Sequence, residues 1–110
     1  MSITGDLIRG HTDAIILNRL ILSDSYGYEI NKEISALSGG KFELKEATLY
    51  TAFKRLEEGG FIASYWGDSG AGARRRYYTI TDEGRLECRR LREEWQETKE
   101  IMDKLLEERA

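Results

Sequence analysis

The chain has 110 residues, of which 40% are hydrophobic and 34% are charged, and this size and composition predict one folded domain. No apolar stretch reaches the roughly 18–20 residues that span a bilayer, no signal-peptide pattern opens the chain, and the single cysteine excludes an intramolecular disulfide. We therefore expect a cytoplasmic protein that does not bind membranes. The net charge of −3 argues, on its own, against nucleic-acid binding.

The charge is unevenly distributed along the chain. Residues 41–80 carry seven basic and five acidic side chains, whereas residues 1–40 carry three and five, and residues 81–110 carry seven and ten. Arg74, Arg75 and Arg76 are consecutive positive charges in the middle third. Because a nucleic-acid surface depends on local charge, the middle third is the candidate for such a surface.

Two helices are predicted in the first forty residues. Apolar side chains in residues 7–22 recur around almost the whole circumference of a helix, which indicates that a second subunit covers part of it. Residues 23–25 (SDS) have good N-cap chemistry for a second helix over about residues 28–37, and Gly39 and Gly40 end it.

A third helix is predicted over about residues 45–58. Leu49, Phe53 and Leu56 recur at spacings of four and three residues and form its inward stripe. Gly59 ends the helix. The polar side chains between the stripe residues point outward and are available to a partner.

A β-hairpin and a long helix complete the chain. Residues 61–66 and 75–80 are rich in aromatic and branched side chains, and the small, polar segment between them is typical of a hairpin tip. Thr81 is predicted to cap a fourth helix that continues to the end of the sequence.

This order of elements predicts a mainly α fold with a small β-hairpin, namely a winged helix-turn-helix followed by a long C-terminal dimerisation helix. Residues 1–80 form the DNA-binding part and residues 81–110 the dimerisation helix, in one compact unit. In such a fold the third helix enters the major groove and the hairpin, or wing, reaches along the DNA backbone.

Six residues of the fourth helix follow heptad spacing: Cys88, Leu91, Trp95, Thr98, Met102 and Leu105. Such a stripe also fits packing within one domain. However, a helix over residues 81–110 would be about 45 Å long at ~1.5 Å per residue, longer than so small a domain covers. We therefore predict a homodimer through the first and fourth helices, whose two reading helices address DNA half-sites about 34 Å apart.

Several blocks of the sequence resemble the PadR family of bacterial repressors. The blocks are residues 26–29 (YGYE), 43–57 (ELKEATLYTAFKRLE), 64–67 (SYWG) and 74–84 (RRRYYTITDEG). The single C-terminal helix is similar to that of the compact subfamily, which includes multidrug-sensing repressors. The resemblance implies a homodimeric repressor that binds double-stranded operator DNA and responds to a ligand. Thr51 departs from the pattern, because many members have proline there.

DNA binding requires cations for the phosphates and side chains that reach base edges. Because side chains alternate along a strand, Arg75 is expected to face away from Arg74 and Arg76. Lys54 and Arg55 also fit an ordinary solvated helix face, an interpretation that the fold and the resemblance disfavour. The candidate DNA-contacting residues are Tyr28, Lys45, Thr48, Tyr50, Thr51, Lys54, Arg55, Ser69, Gly70, Arg74, Arg75 and Arg76.

Trp95 has two interpretations. Periodicity alone favours a packed core residue. The resemblance implies instead that Trp95 and its symmetry mate face each other across a central pore and sandwich a small planar aromatic effector. The implied ligand-binding residues are Trp95, Gly10, Asp13, Ala14, Leu17, Cys88, Leu91, Arg92 and Lys99. Asp13 would hold a cationic effector, or pair with Arg92 or Lys99 and leave the pore neutral.

The sequence gives no catalytic, metal-binding or cofactor-binding constellation. His11 is the single histidine, and Cys88 falls on the helix seam, where a small buried side chain is expected. We therefore expect no enzyme activity, no metal and no cofactor. Two alternatives remain beside the multidrug-sensing repressor: a helical interaction module that dimerises without binding DNA, and a PadR-type regulator of the phenolic-acid response that lacks a multidrug pore.

Overall fold

The computed structural model describes residues 3–68 and 74–108, and its order of elements confirms the predicted winged-helix fold. A three-stranded antiparallel sheet lies among helices, and the last helix is the longest element. The elements are α1 (Ile3–Arg9), α2 (Thr12–Leu22), β1 (Ser25–Tyr26), α3 (Gly27–Leu37), α4 (Glu46–Glu58), β2 (Ile62–Asp68), β3 (Arg74–Ile80) and α5 (Asp82–Leu105).

The predicted first helix is divided into two. α1 ends at Arg9, and α2 begins at Thr12 after the Gly10–His11 step. Thr12 is buried and its hydroxyl donates to the carbonyl of Arg9 (2.7 Å), so one side chain satisfies the open end of α1 where the chain turns. The prediction of a continuous helix was wrong because the apolar periodicity of the sequence continues on both sides of this short break and does not reveal it.

β1 adds a third strand to the predicted hairpin. It pairs with β3, Ser25 opposite Tyr78, and the strand order is β1-β3-β2. This pairing uses the residues that were expected to cap the second helix. α3 instead begins after Tyr26 with no side-chain cap, and the hydroxyl of Ser25 donates to Glu29 (2.9 Å).

The core lies where α2, α3 and α4 meet the sheet. Leu49, Phe53 and Leu56 of α4 are 2% exposed or less, which confirms the predicted inward stripe. Phe53 stacks on Tyr78 of β3 with ring centroids 4.0 Å apart, and so fixes α4 against the sheet. The opposite side of α4 consequently lies at the surface of the domain.

Asn31 holds the connection between α3 and α4. Its side-chain amide donates to the carbonyl of Leu44 (2.7 Å), and its carbonyl oxygen accepts from the amide of Leu44 (2.8 Å). Leu44 and Phe42 are buried in the core. This connection therefore sets the position of α4 relative to α3.

α5 begins as predicted, with the hydroxyl of Thr81 accepting from the amide of Gly84 (3.0 Å). Its first half packs on α2, where Cys88 is fully buried and Leu91 half-buried. From Arg92 onward every described residue of α5 is exposed, and the molecule reaches 63 Å along its longest axis. The heptad stripe therefore has one part that packs within the protomer and another that projects from it.

Candidate nucleic-acid interface and effector cavity

The outward side of α4 carries the side chains predicted to contact DNA. Tyr50, Thr51, Lys54 and Arg55 are exposed and Thr48 is half-buried, in contrast to the buried stripe on the opposite side. Lys45 is exposed at the residue that precedes α4. Helix periodicity thus separates a core-facing and a partner-facing half in this element.

The three arginines at the base of the wing differ in their surroundings. The Arg74 guanidinium lies 5.3 Å from the Trp66 ring centroid, whereas the Arg75 guanidinium lies 4.5 Å from that of Tyr26. Arg76 donates to Glu57 (3.2 Å) and to Ser64 (3.0 Å). Arg75 thus contacts β1, whereas Arg74 and Arg76 contact residues of β2 and α4, which is in keeping with the predicted alternation.

α3, α4 and the wing enclose a cleft of about 420 Å³. Tyr28, at the start of α3, is 72% exposed and lies beside Tyr50 there. Gly27 lets the Tyr50 hydroxyl come close to the backbone of α3, because a β-carbon at Gly27 would lie only 2.8 Å from that hydroxyl. The cleft therefore combines aromatic faces with the guanidinium groups of β3. Its lining residues are Tyr26, Gly27, Tyr28, Tyr50, Trp66, Arg74, Arg75 and Arg76.

A second depression lies farther along α4 and is lined by Thr48, Thr51 and Arg55 together with Arg9 and Thr12. Two neighbouring clefts thus open on the predicted reading surface, and Lys45 and Lys54 lie exposed outside both. The predicted residues Ser69 and Gly70, at the wing tip, lie outside the described residues.

Asp13 pairs with a residue that the sequence did not indicate. Its carboxylate accepts from Nε of Arg55 (3.3 Å) and also from Nη2 of the same guanidinium. The hydrogen bond to Asp13 raises the pKa of Arg55 above its usual value. The expected pairing of Asp13 with Arg92 or Lys99 does not occur within the described chain, because Arg55 takes that place.

Trp95 lies at the edge of a cavity of about 370 Å³ between α2 and α5. Its indole is 44% exposed and meets the His11 ring edge-on, with centroids 5.0 Å apart. The sequence gave no indication of this contact, because His11 and Trp95 are 84 positions apart. Of the predicted ligand-binding set, the structure brings to this cavity Gly10, Asp13, Ala14, Leu91 and Trp95.

The other predicted ligand-binding residues lie elsewhere. Leu17 and Cys88 are fully buried in the core of the protomer. Arg92 lines a neighbouring groove, and Lys99 is exposed farther along α5. Arg55, in contrast, was predicted to contact DNA and also lines this cavity. One side chain therefore belongs to both the reading surface and the cavity.

A family model, the transcriptional regulator PadR-like family, matches residues 16–90. The chain belongs to this family. A transcriptional regulator from Clostridium thermocellum is 46% identical to the chain, with 96% of this chain and 100% of that one covered and a TM-score of 0.87. A PadR family regulator from Clostridium difficile is 37% identical, with 87% and 98% covered and a TM-score of 0.76. An uncharacterised protein of Lysinibacillus sphaericus is 47% identical over 105 residues, 96% of each chain.

Membership assigns this PadR protein to transcription regulation, and PadR regulators bind DNA and act as dimers. The matched residues include α4 and the wing but end at residue 90, before Trp95. The resemblance to multidrug-sensing members therefore remains a prediction.

Within residues 3–68 and 74–108, no group of three or more histidine, cysteine or acidic side chains is arranged to hold a metal ion. In the same part of the chain, no helix is both long and apolar enough to cross a membrane.

Proposed function

We propose that this protein is a repressor that binds operator DNA as a homodimer and leaves the operator when a planar aromatic compound binds between Trp95 and the tryptophan of the second subunit. The observation that carries the proposal is the cationic surface formed by α4 and the wing. Among the described residues, no carboxylate lies within 4 Å of the charged groups of Lys54, Arg74 or Arg75 on this surface.

These cations are suited to phosphates, and the side chains between them to base edges. Phosphate contacts fix the orientation of a protein on DNA, whereas short polar side chains on a reading helix contact the bases. Lys54 and Arg75 would bind the backbone on either side of the groove. Thr48 and Thr51, on the outward side of α4, would then face the bases.

A dimer accounts for apolar side chains that one protomer leaves uncovered. Ile101 is 49% exposed, Met102 44% and Leu105 68%, all in the last two turns of α5. A contiguous apolar patch of this kind is typical of a protein-protein interface. A two-fold axis through this region would also give the two reading helices the symmetry of a palindromic operator.

The exposed indole of Trp95 supports the effector site. Aromatic stacking contributes about 0.5–1.5 kcal/mol per pair beyond the burial of area, so two tryptophans would bind many flat compounds with loose selectivity. The adjacent Asp13–Arg55 ion pair offers a carboxylate to a cationic substituent of the effector and a guanidinium to an anionic one.

Arg55 also supplies a route from effector to DNA. A compound wedged between the two tryptophans would change the angle between the long helices and hence the spacing of the reading helices. Because Arg55 projects from α4 and binds Asp13 of α2, a shift of α2 would act directly on α4. An effector lowers DNA affinity only if it binds the dimer with altered helix spacing more tightly than the dimer that fits the operator.

The DNA part of the proposal is tested with duplexes selected from a random pool of about 30 bp, long enough for two half-sites. The variant Lys54→Glu/Arg75→Glu is expected to lose binding to the selected duplex by at least about a hundredfold while it remains dimeric. The control Lys99→Glu/Lys104→Glu makes the same charge change on the exposed part of α5, away from this surface, and should bind as the wild type does. Unchanged affinity in the first variant would contradict the assignment.

The effector part is tested by tryptophan fluorescence in a Trp66→Phe background, so that only Trp95 emits. Titration with proflavine, a planar cation, and with 2-naphthoate, a planar anion, should quench Trp95 in the absence of DNA. Release of the selected duplex is measured with 2-naphthoate, because proflavine itself intercalates into DNA. A Trp95→Ala variant should keep DNA binding and should no longer be released by 2-naphthoate. DNA affinity that saturating compound leaves unchanged would rule out the mechanism. Dimerisation without any DNA affinity would favour the interaction-module alternative.

A further inference from the structure

Trp66 of β2 carries a large apolar group that its own protomer leaves largely uncovered. The indole is 57% exposed, and among the described residues no second aromatic ring packs against it. The adjacent Tyr65 is also exposed, but its ring stacks on Tyr77 and its hydroxyl donates to Asp24 (2.6 Å). Trp66 therefore differs from its neighbour in keeping an aromatic surface available to a partner.

The indole belongs to the side of the sheet that faces α4. Because side chains alternate along a strand, Ser64 and Trp66 point the same way, and the hydroxyl of Ser64 donates to Glu57 of α4 (2.7 Å). Trp66 lines the cleft between α3, α4 and the wing, as do the exposed side chains of Tyr28 and Tyr50. Three exposed aromatic side chains in one cleft form a patch of the kind that a partner covers.

The Trp66 ring also holds Arg74 in place. The Arg74 guanidinium lies 5.3 Å from the ring centroid, within the range of a cation–aromatic contact. In the part of the chain that the structure describes, no carboxylate lies within 4 Å of this guanidinium, so its charge is available to a partner. A side chain that an aromatic face already orders loses less conformational entropy when it binds a phosphate. Trp66 and Arg74 therefore present an apolar surface and an ordered cation side by side.

A DNA backbone offers the same two kinds of group side by side, since each phosphate is joined to a deoxyribose. A wing reaches along this backbone, and Trp66 and Arg74 lie on the two strands of the wing. Trp66 stands in the wall of a cleft beside the cation, and not at the turn of the hairpin. This place fits a contact with the backbone better than insertion of the ring between base pairs.

We infer that Trp66 contacts DNA, by packing its indole on a deoxyribose while it holds Arg74 against the neighbouring phosphate. The inference rests on the operator binding of the proposed function and adds an apolar contact to a surface otherwise described by its charged and polar groups. A phosphate contact releases counterions and weakens as salt rises, whereas an apolar contact releases none. The contribution of Trp66 should therefore be nearly independent of salt.

The first test measures whether DNA covers Trp66. In a Trp95→Phe background only Trp66 emits, and acrylamide quenching of its fluorescence is compared without DNA and with the selected duplex at saturation. The duplex should lower the quenching constant by about twofold or more, because it covers most of the exposed ring. The same protein with Lys54→Glu/Arg75→Glu, which is expected not to bind the duplex, should show no protection.

The second test measures what the ring contributes to affinity. Trp66→Ala is expected to weaken binding about thirtyfold, and Trp66→Phe, which keeps a smaller ring, about threefold. Both variants keep every cation, so their plots of log K against log salt should run parallel to that of the wild type. Arg74→Gln should instead lower the slope by about 1.8 per dimer. Tyr65→Ala is the matched control, since it removes an exposed ring from the opposite face of the same strand and should keep the affinity.

A contact with deoxyribose carries no sequence information, so Trp66→Ala should weaken binding to the selected duplex and to a random duplex by the same factor. A loss confined to the selected duplex would place the ring on a base and overturn the inference. Unchanged quenching of Trp66 on a bound duplex, or equal affinities of Trp66→Ala and Tyr65→Ala, would also overturn it while leaving the proposed function intact. If circular dichroism shows that Trp66→Ala does not fold, the quenching measurement and Trp66→Phe decide. A wild type without affinity for any duplex would contradict both the inference and the proposed function.

Discussion

The carboxylate of Asp13 and the guanidinium of Arg55 form an ion pair between α2 and the reading helix, 42 positions apart in the chain. The two side chains are 36% and 54% exposed, so solvent screens the pair and its contribution to stability is small. Its position matters more, because Arg55 lines both the Trp95 cavity and the outer surface of α4. The pair therefore holds a cation of the DNA-binding surface against the wall of the effector cavity.

Asp13→Asn is expected to strengthen DNA binding. The change releases Arg55 from its carboxylate and leaves one more uncompensated cation per protomer. We expect the affinity for a duplex of random sequence to rise about three- to tenfold at low salt, and the slope of log K against log salt to steepen by up to about 1.8 per dimer. Fluorescence anisotropy at several KCl concentrations measures both quantities.

Asp103→Asn is the matched control, since it removes one negative charge near the far end of α5 and should leave the salt slope unchanged. Weaker binding, or an unaltered slope, in Asp13→Asn would show that Arg55 does not contact phosphate.

Arg75 and Arg76 are adjacent, but substitution of Arg75 should mainly affect DNA binding and substitution of Arg76 should mainly affect stability. Arg75 stacks on Tyr26 without a carboxylate partner, whereas Arg76 binds Glu57 and Ser64. Arg75→Gln should therefore lower the salt slope of DNA binding by about 1.8 per dimer and leave the unfolding free energy nearly unchanged. Arg76→Gln should lower the unfolding free energy by roughly 0.5 kcal/mol and affect the slope less. Equal effects of the two variants on both measurements would contradict this division.

Sequence patterns correctly predicted the elements that are specified by a few neighbouring residues. The stripe of Leu49, Phe53 and Leu56 gave the orientation of α4, because burial follows helix periodicity directly. Thr81 gave the start of α5 through its cap. Both signals lie within a few residues of the feature that they predict.

The features that were missed depend on distant residues. β1 has only two residues, too few for an alternating pattern, and its partner strand lies about fifty positions away. The Asp13–Arg55 pair likewise has no local signature. The heptad stripe of α5 was predicted to be one continuous seam. In the structure, Cys88 and Leu91 pack on α2, whereas the later positions of the stripe are exposed because α5 extends beyond α2. Periodicity identifies an apolar face but not the element that covers it.

Gly84→Ala is expected to be strongly destabilising. A β-carbon at this position would overlap the carbonyl oxygen of Phe61 and lie 2.7 Å from Cγ1 of Ile80, and neither the backbone nor the packed strand can move away easily. We expect the unfolding free energy to fall by about 3 kcal/mol or more in urea titrations. Gly10→Ala is the control, because its β-carbon would lie 3.4 Å from the nearest backbone atom, an ordinary contact. A loss of stability in Gly84→Ala as small as that in Gly10→Ala would show that α5 can shift away from the sheet.

Stability should decline at alkaline pH because of the buried Cys88 thiol. Burial raises the pKa of Cys88 above its usual value, and the charge of Arg92 opposes this only in part. The thiol of the unfolded chain loses its proton near pH 8.5 and the native thiol at a higher pH. Between those values the unfolded state binds fewer protons, so the unfolding free energy falls as pH rises, by at most about 1.4 kcal/mol per pH unit.

Urea unfolding of the wild type and of Cys88→Ala at pH 7, 8.5 and 9.5 measures this decline. The variant is expected to be about 1 kcal/mol less stable at pH 7 because it leaves a small cavity, and to lose little further stability by pH 9.5. The two stability curves should therefore converge as pH rises. Parallel curves would assign the alkaline decline to another group and would indicate that the Cys88 thiol titrates equally in the folded and unfolded states.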